Sequence, residues 1–168
     1  MDRDEDFTAF ASARWSSLVR SGVFLGCTIE EAQDLAQTTL VRCYTAWHRV
    51  ARADSRDAYV YRMLLNCHRD SRRRRWWGER PSEDPPERAG VEDPTEAVAV
   101  TDAVHRALGD LTRVNREVVV LRYYAQLSEQ QTASVLGIPA GTVKSRMSRA
   151  LAQLATNAHL IDLTEGSP

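Results

Sequence analysis

The chain has little cysteine, and what it has follows no recognisable pattern. Its 168 residues include only Cys27, Cys43 and Cys67, an odd number that contains no Cys-x-x-Cys pair. A scattered, odd set of cysteines suits neither a disulfide framework nor a structural zinc site. We therefore expect three reduced cysteines, no bound metal and no cofactor.

Long apolar runs are also missing. No stretch approaches the roughly 20 apolar residues that cross a bilayer, and the acidic start of the chain is the opposite of the basic start of a signal peptide. No segment alternates apolar and polar residues for long enough to indicate a strand. These absences predict an all-α, cytoplasmic protein without membrane insertion.

Charge is balanced in total but uneven along the chain. The sequence has 22 basic and 23 acidic residues, and 43% of its residues are apolar, enough to bury a core. Nucleic-acid binding must then depend on local charge. Residues 81–94 carry four of the six prolines and almost nothing apolar, which excludes a helix there. We predict an acidic, flexible linker over residues 79–96.

The first domain, residues 1–78, has apolar residues at helical spacing. They recur every three or four positions on both sides of a break at residues 26–28, which predicts two helices. Thr28 followed by Glu31 has the spacing of a capping box and marks the start of the second helix. A third helix is predicted to begin near Asp57, as its cap, and to continue into a run of arginines.

The second domain, residues 97–156, carries the pattern of a helix-turn-helix. Ser128 is a predicted N-cap, and the helix that it starts should stop at Gly137. After a turn, a further helix should run to about Ala155 with an apolar stripe on one side. Two helices joined by such a turn form the DNA-binding motif of that name. Residues 157–168 are predicted to be a frayed tail.

The face of the last helix opposite its apolar stripe is polar and basic. The first turns of a recognition helix enter the major groove, where arginine or lysine can bond guanine and small hydroxyl residues permit close approach. A solvated basic face on a structural helix is the alternative. The predicted contacts are Lys144, Ser145, Ser148 and Arg149 to base edges, and Thr142 and Arg146 to phosphates.

A second basic cluster consists of Arg69 and the arginines at 72–75. Guanidinium groups neutralise phosphates, and nearby aromatic rings can stack on unpaired bases, so the cluster suits opened or single-stranded DNA. A solvated charge run is the alternative, and at least one of the two tryptophans could pack on the core. The neighbouring aromatic residues are Tyr59 and Tyr61 upstream and Trp76 and Trp77 downstream.

Together these motifs resemble the extracytoplasmic-function (ECF) sigma factors of bacterial RNA polymerase, in their sigma-E-like group. The resemblance covers nearly the whole chain, in two blocks separated by the acidic segment. The matching segments are residues 32–40 (AQDLAQTTL, similar to region 2.2), 58–66 (AYVYRMLLN, similar to region 2.3 continuing into 2.4), 116–123 (REVVVLRY, similar to region 4.1) and 136–150 (LGIPAGTVKSRMSRA, similar to region 4.2).

The resemblance implies a dissociable subunit that binds core polymerase and directs promoter-specific initiation. The recognition helix would read the minus-thirty-five element, and an anti-sigma factor is a further partner that the family suggests. The implied core polymerase-binding residues are Asp34, Gln37, Leu40 and Val41. The residues implied to read and melt the minus-ten element are Arg52, Arg56, Tyr59, Tyr61, Asn66, Arg69 and Arg73.

Three positions depart from the family pattern. Gln33 stands where the family often has an acid, and Thr38 where it often has glutamate, which weakens the expected charge complementarity to the polymerase. Asp70 lies about one turn after Asn66. There it could accept a hydrogen bond from cytosine or pair with a nearby arginine, Arg73 or Arg74, and we favour the ion pair.

Two other classes of protein compete with this interpretation. A stand-alone helix-turn-helix regulator would bind duplex DNA directly, but a near-neutral chain gains little from counterion release unless the polymerase supplies further contacts. An enzyme is not expected, because no Gly-rich phosphate loop is present and the candidate acids and histidines have no ligand spacing. Those candidates are Asp34, His48, Asp57 and His68.

Overall fold

The computed structural model describes residues 2–78 and 96–165, and the described part is all-α, as predicted. Of the segment predicted as a linker, residues 79–95 lie outside the described residues. The first half contains α1 (Arg3–Phe24), α2 (Ile29–Thr45), α3 (Trp47–Val50) and α4 (Arg56–Gly78). The second half contains α5 (Glu96–Gly109), α6 (Arg113–Val119), a π-helical turn (Val120–Tyr124), α7 (Glu129–Leu136), α8 (Ala140–Ala155) and α9 (Ala158–Glu165).

Two capping boxes are present, one at the predicted Thr28–Glu31 pair and one at the predicted N-cap Ser128. The amide of Glu31 donates to Thr28 Oγ1 at 3.2 Å, and the amide of Thr28 donates to Glu31 Oε2 at 2.9 Å. At the start of α7, Gln131 and Ser128 make the same reciprocal pair at 3.0 and 2.8 Å. Gly137 ends α7 in the left-handed conformation, with φ of 65°. The two capping boxes satisfy amides that a helix start leaves unpaired. The predicted starts of α2 and α7 and the predicted end of α7 are therefore confirmed.

Two local predictions were wrong. The cap of α4 is Ser55, whose Oγ accepts a hydrogen bond from the amide of Ala58 at 3.1 Å. Asp57 instead accepts a bond from Arg14 of α1 at 2.8 Å. The segment from residue 158 is a helix instead of a frayed tail, because α9 packs against α5 and its N-terminus is capped by Asn157.

The two halves of the chain share a buried core. Leu18 of α1 and Leu64 of α4 belong to the same cluster of buried residues as Val120 and Leu121 of the π turn. Helices α4 and α7 are also in contact. In this structure the two halves of the chain therefore lie against each other. Apolar side chains of the second half pack on the first half, and this burial removes them from water.

Helices α1 and α2 approach each other closely at Gly22. A methyl group at this position would lie 2.9 Å from Cβ and 3.1 Å from Cα of Ala32. We expect Gly22→Ala to destabilise the protein by about 1–3 kcal/mol, because the backbone of α2 would have to shift. Urea unfolding followed by circular dichroism measures this. Gly109→Ala is the control, because its Cβ meets nothing within 4 Å; equal midpoints for both variants would contradict the tight contact.

Candidate nucleic-acid interface

Helix α8 presents a polar face to solvent and an apolar stripe to the protein. Val143 and Ala150 are buried, Val143 in a cluster with Val118 of α6 and Ala133 of α7. This packing fixes α8 against the rest of the helix-turn-helix. Of the six predicted contacts on α8, Lys144, Ser148 and Arg149 are exposed, and Thr142, Ser145 and Arg146 are half-buried. The predicted DNA-contacting face is therefore accessible in this structure.

Helix α4 carries most of the residues predicted to read the minus-ten element. Asn66 and Arg73 are exposed on it, and Arg52 is exposed in the turn before it. Tyr59 is half-buried, as is Arg56, which pairs with an aspartate of α1 at 3.4 Å. These side chains are thus accessible to different degrees along one helix and the turn that precedes it.

Tyr61 must be corrected from a candidate DNA contact to a core residue. It is buried, and its hydroxyl lies 3.1 Å from Ser21 Oγ of α1. Burial raises the pKa of the Tyr61 hydroxyl. Its position explains the burial, because Tyr61, Leu64 and Leu65 share one helical face through their spacing of three and four.

Arg69 is held by an acid from the other half of the chain. Its Nη2 donates to Glu117 Oε2 of α6 at 2.9 Å. Asp70 does form an ion pair, but with Arg42 of α2 at 3.3 Å instead of with Arg73 or Arg74. The partner differs because α2 packs alongside α4 and brings Arg42 within reach.

The two tryptophans that follow the arginine run do not pack on the core. Trp76 and Trp77 are each 83% exposed at the C-terminal end of α4. This excludes the expectation that at least one of them folds back onto the protein. Both rings lie within one helical turn of Arg73 and remain accessible.

Helix α2 carries the four residues predicted to bind core polymerase, but it exposes only three of them. Asp34, Gln37 and Val41 are exposed, and their spacing places them along one face of the helix. Leu40 must be corrected, because it is buried with Ala36 in the core. Of the residues predicted to bind core polymerase, only Asp34, Gln37 and Val41 are therefore accessible to a partner.

His68 is buried between the halves of the chain. Burial, together with the positive charge of Arg72, lowers the pKa of His68 from 6.5 to about 4. Its Nδ1 has no hydrogen-bond partner among the described residues. Within the same part of the chain, no three histidine, cysteine, aspartate or glutamate residues are grouped to hold a metal ion.

Sequence reasoning missed the polar residues that join the two halves. Arg62 of α4 donates to the carbonyl oxygen and to Oγ of Ser134 at 2.7 and 2.9 Å. Arg116 donates to the carbonyl oxygen of Leu25 at 3.3 Å. Glu117 had one available signal, because an acid directly before three valines is placed to be buried and to need a partner.

Comparison with known proteins agrees with this geometry. The family described as Sigma-70 region 2 matches residues 6–78, and Sigma-70, region 4 matches residues 101–154. The RNA polymerase sigma-E factor of Streptomyces avermitilis is 39% identical over 162 residues, which are 94% of this chain and 88% of the relative. The ECF RNA polymerase sigma factor SigC of Mycobacterium tuberculosis is 30% identical over 165 residues, 93% and 85% of the two chains.

Two solved structures share the fold. The sigma factor RpoE from Bartonella quintana, in complex with the anti-sigma factor NepR, has a TM-score of 0.72 at 22% identity and covers 98% of this chain and 99% of its own. CnrH, in complex with the cytosolic domain of CnrY, has a TM-score of 0.66 at 24% identity, with coverage of 95% and 89%. At these identities, both show the fold alone.

The fold and the matched families define the class of this protein: it is a DNA-binding protein of transcription initiation. This chain belongs to the sigma-70 family of RNA polymerase sigma factors, in its ECF group. It directs promoter-specific initiation of transcription. No helix in the described ranges is both long and apolar enough to cross a membrane.

The buried His68 predicts a loss of stability on acidification. In the unfolded chain its pKa returns to about 6.5, whereas the folded value is about 4. The stability contributed by the neutral ring is therefore present above pH 6.5 and lost as the pH falls towards 4. Between pH 7 and 5, we expect the wild type to lose up to about 2 kcal/mol more than His68→Gln.

Urea unfolding of both proteins at the two pH values measures this difference. The carboxylates are common to both proteins, so their contribution cancels in the comparison. Equal losses of unfolding free energy in wild type and His68→Gln would contradict a neutral, buried His68.

Proposed function

We propose that three separate surfaces of this sigma factor divide the work of promoter recognition. The exposed face of α8 binds the minus-thirty-five element, the exposed part of α4 with the preceding turn binds the minus-ten element, and α2 binds core polymerase. The observation that carries the proposal is the division of α8 into a buried stripe around Val143 and an exposed basic face. Such a helix can enter a groove without losing its packing.

On α8, the exposed residues are suited to different contacts. Lys144 and Arg149 can bond guanine edges, and Ser148 is small enough to let the helix approach the bases. Half-buried Thr142 and Arg146 are better placed for phosphates at the rim of the groove. Ser145 is partly engaged within the helix, because its hydroxyl donates to the carbonyl oxygen of Thr142 at 3.1 Å.

For the minus-ten element, the proposal uses Asn66, Arg73 and Arg52, which are exposed, together with half-buried Tyr59 and Arg56. Arg69 contributes after it leaves Glu117. Arginines supply phosphate contacts, and an amide side chain can distinguish an unpaired base by its hydrogen-bonding edge. Tyr61 has no part in this surface, because it belongs to the core.

The polymerase-binding surface consists of Asp34, Gln37 and Val41, one exposed acid, one amide and one apolar side chain on a single helical face. We propose that the protein is non-catalytic and acts in the cytoplasm, where its polymerase works. Both structural neighbours carry a bound partner chain, one of them described as an anti-sigma factor. We therefore also propose an anti-sigma factor as a partner of this chain.

Run-off transcription with purified core polymerase tests the minus-thirty-five assignment. Arg149→Ala should lose about 1–3 kcal/mol of discrimination between a cognate promoter and one mutated at the base that Arg149 contacts. Arg20→Ala is the matched control, because Arg20 is also an exposed arginine but belongs to a different helix, α1. Unchanged discrimination in Arg149→Ala would contradict the assignment. Strong site-specific duplex binding by the chain alone would favour a stand-alone regulator.

The α2 assignment predicts a separable defect. Asp34→Ala should weaken the affinity for core polymerase, because an exposed charge at an interface contributes to association, and should leave the minus-thirty-five preference unchanged. Asp162→Ala, an exposed aspartate of α9, is the control. Fluorescence anisotropy of labelled protein titrated with polymerase measures the affinity. Equal affinities for the two variants would show that Asp34 is outside the interface.

A further inference from the structure

One ion pair joins the helix proposed to bind the minus-ten element to the other half of the chain. The 2.9 Å bond from Arg69 to Glu117 links α4 to α6, and the Glu117 side chain is only 2% exposed. Arg69 itself is 34% exposed, so it lies at the edge of the covered surface. The pair holds an arginine that the proposed function assigns to DNA.

Arg69 shares its helical face with two other polar residues. Arg62, Asn66 and Arg69 are separated by four and three positions, which places them in a row along α4. At one end of the row Arg62 bonds Ser134 of α7, and at the other end Arg69 bonds Glu117. Asn66, between them, is exposed. A DNA strand that followed this row would have to replace both contacts.

We propose that Glu117 is an internal competitor of promoter DNA for Arg69. The Glu117 carboxylate binds the Arg69 guanidinium as a DNA phosphate would. Both groups are oxyanions, which arginine binds through charge-assisted hydrogen bonds. Arg69 becomes available to DNA when Glu117 releases it, either because α6 moves away from α4 or because a substitution removes the carboxylate charge. The inference rests on the proposed function, because it requires that α4 binds the promoter.

The geometry of the Arg69–Glu117 pair allows a DNA phosphate to replace the carboxylate. Glu117 Oε1 and Arg69 Nε are both buried and have no hydrogen-bond partner among the described residues. Oε1 also forms an ion pair with Arg113, whose Nη1 atom lies 3.8 Å away, beyond hydrogen-bonding distance. A buried ion pair that leaves such atoms unsatisfied does not recover its full cost of desolvation. Replacing this carboxylate by a phosphate, which offers more acceptor oxygens, therefore loses little.

The test measures binding of a short, fluorescently labelled, mixed-sequence single strand to the full chain without polymerase. Glu117→Gln keeps the shape of the side chain and removes its charge. We expect it to bind the strand several-fold more tightly than the wild type. The slope of log affinity against log salt should steepen by about 0.7, because one more arginine neutralises a phosphate.

Two controls separate this effect from a change in net charge. Asp162→Asn removes one negative charge from an exposed site on α9, and it should leave the salt slope unchanged. The double variant with Arg69→Ala and Glu117→Gln should lose the gain in affinity. The proposal is overturned if Glu117→Gln binds no more tightly than Asp162→Asn, or if the double variant keeps the gain.

If Glu117→Gln does not fold, a measurement on the wild-type chain tests the competitor role of Glu117. Phenylglyoxal modifies accessible arginines, and mass spectrometry locates the products. In the free protein, Arg69 should react several-fold more slowly than exposed Arg72, and in the complex with core polymerase the two rates should converge. Equal rates in the free protein, or continued protection of Arg69 in the complex, would overturn the proposal.

Run-off transcription by the wild type separates this inference from the proposed function. If core polymerase and the wild type initiate at a promoter while Glu117→Gln behaves as Asp162→Asn does, the competitor role of Glu117 is wrong and the proposed function stands. If the wild type does not support initiation, the proposed function fails, and the inference fails with it.

Discussion

The structure depends on four consecutive apolar residues that are buried against three different parts of the molecule. Val118 packs with α7 and α8, Val119 belongs to a cluster with residues of α5 and α8, and Val120 and Leu121 enter the core shared with the first half. A π-helical turn begins within this run, and the amide of Ala125 donates to the carbonyl oxygen of Val120 at 2.9 Å. The wider turn changes which directions successive side chains face.

This arrangement gives the DNA-binding surfaces different accessibility. The recognition helix keeps its basic face open because its buried residues, Val143 and Ala150, lie on the opposite face. The face of α4 carries contacts to the second half at Arg62 and Arg69. In this structure, the proposed minus-thirty-five surface is therefore accessible, whereas Arg69 of the proposed minus-ten surface is held by Glu117.

The sequence predicted the parts of the fold that depend on local interactions. Thr28 with Glu31 and Ser128 with Gln131 fixed two helix starts correctly, because a capping box involves only residues three positions apart. The spacing along α8 predicted an apolar stripe, and two of its residues, Val143 and Ala150, are buried. Tyr61 and Leu40 were assigned to binding although their own spacing placed them with apolar neighbours, so the helical periodicity was the better guide there.

The ion pairs could not be predicted in the same way. Asp70 was expected to pair along its own helix, but Arg42 of α2 holds it, and Glu117 of α6 holds Arg69. Such partners are separated by 28 and 48 positions in the chain. Their meeting depends on how helices pack against one another, which no local pattern specifies.

By itself, the sequence determined the helical class, the helix-turn-helix and the polar face of its second helix, since hydrophobic period, caps and turn residues act over a few positions. Only the tertiary structure decided that the two halves share a core, and that Glu117 holds Arg69. The physical reason is that burial and charge pairing across distant helices depend on the packing angles set by side chains from every helix at once.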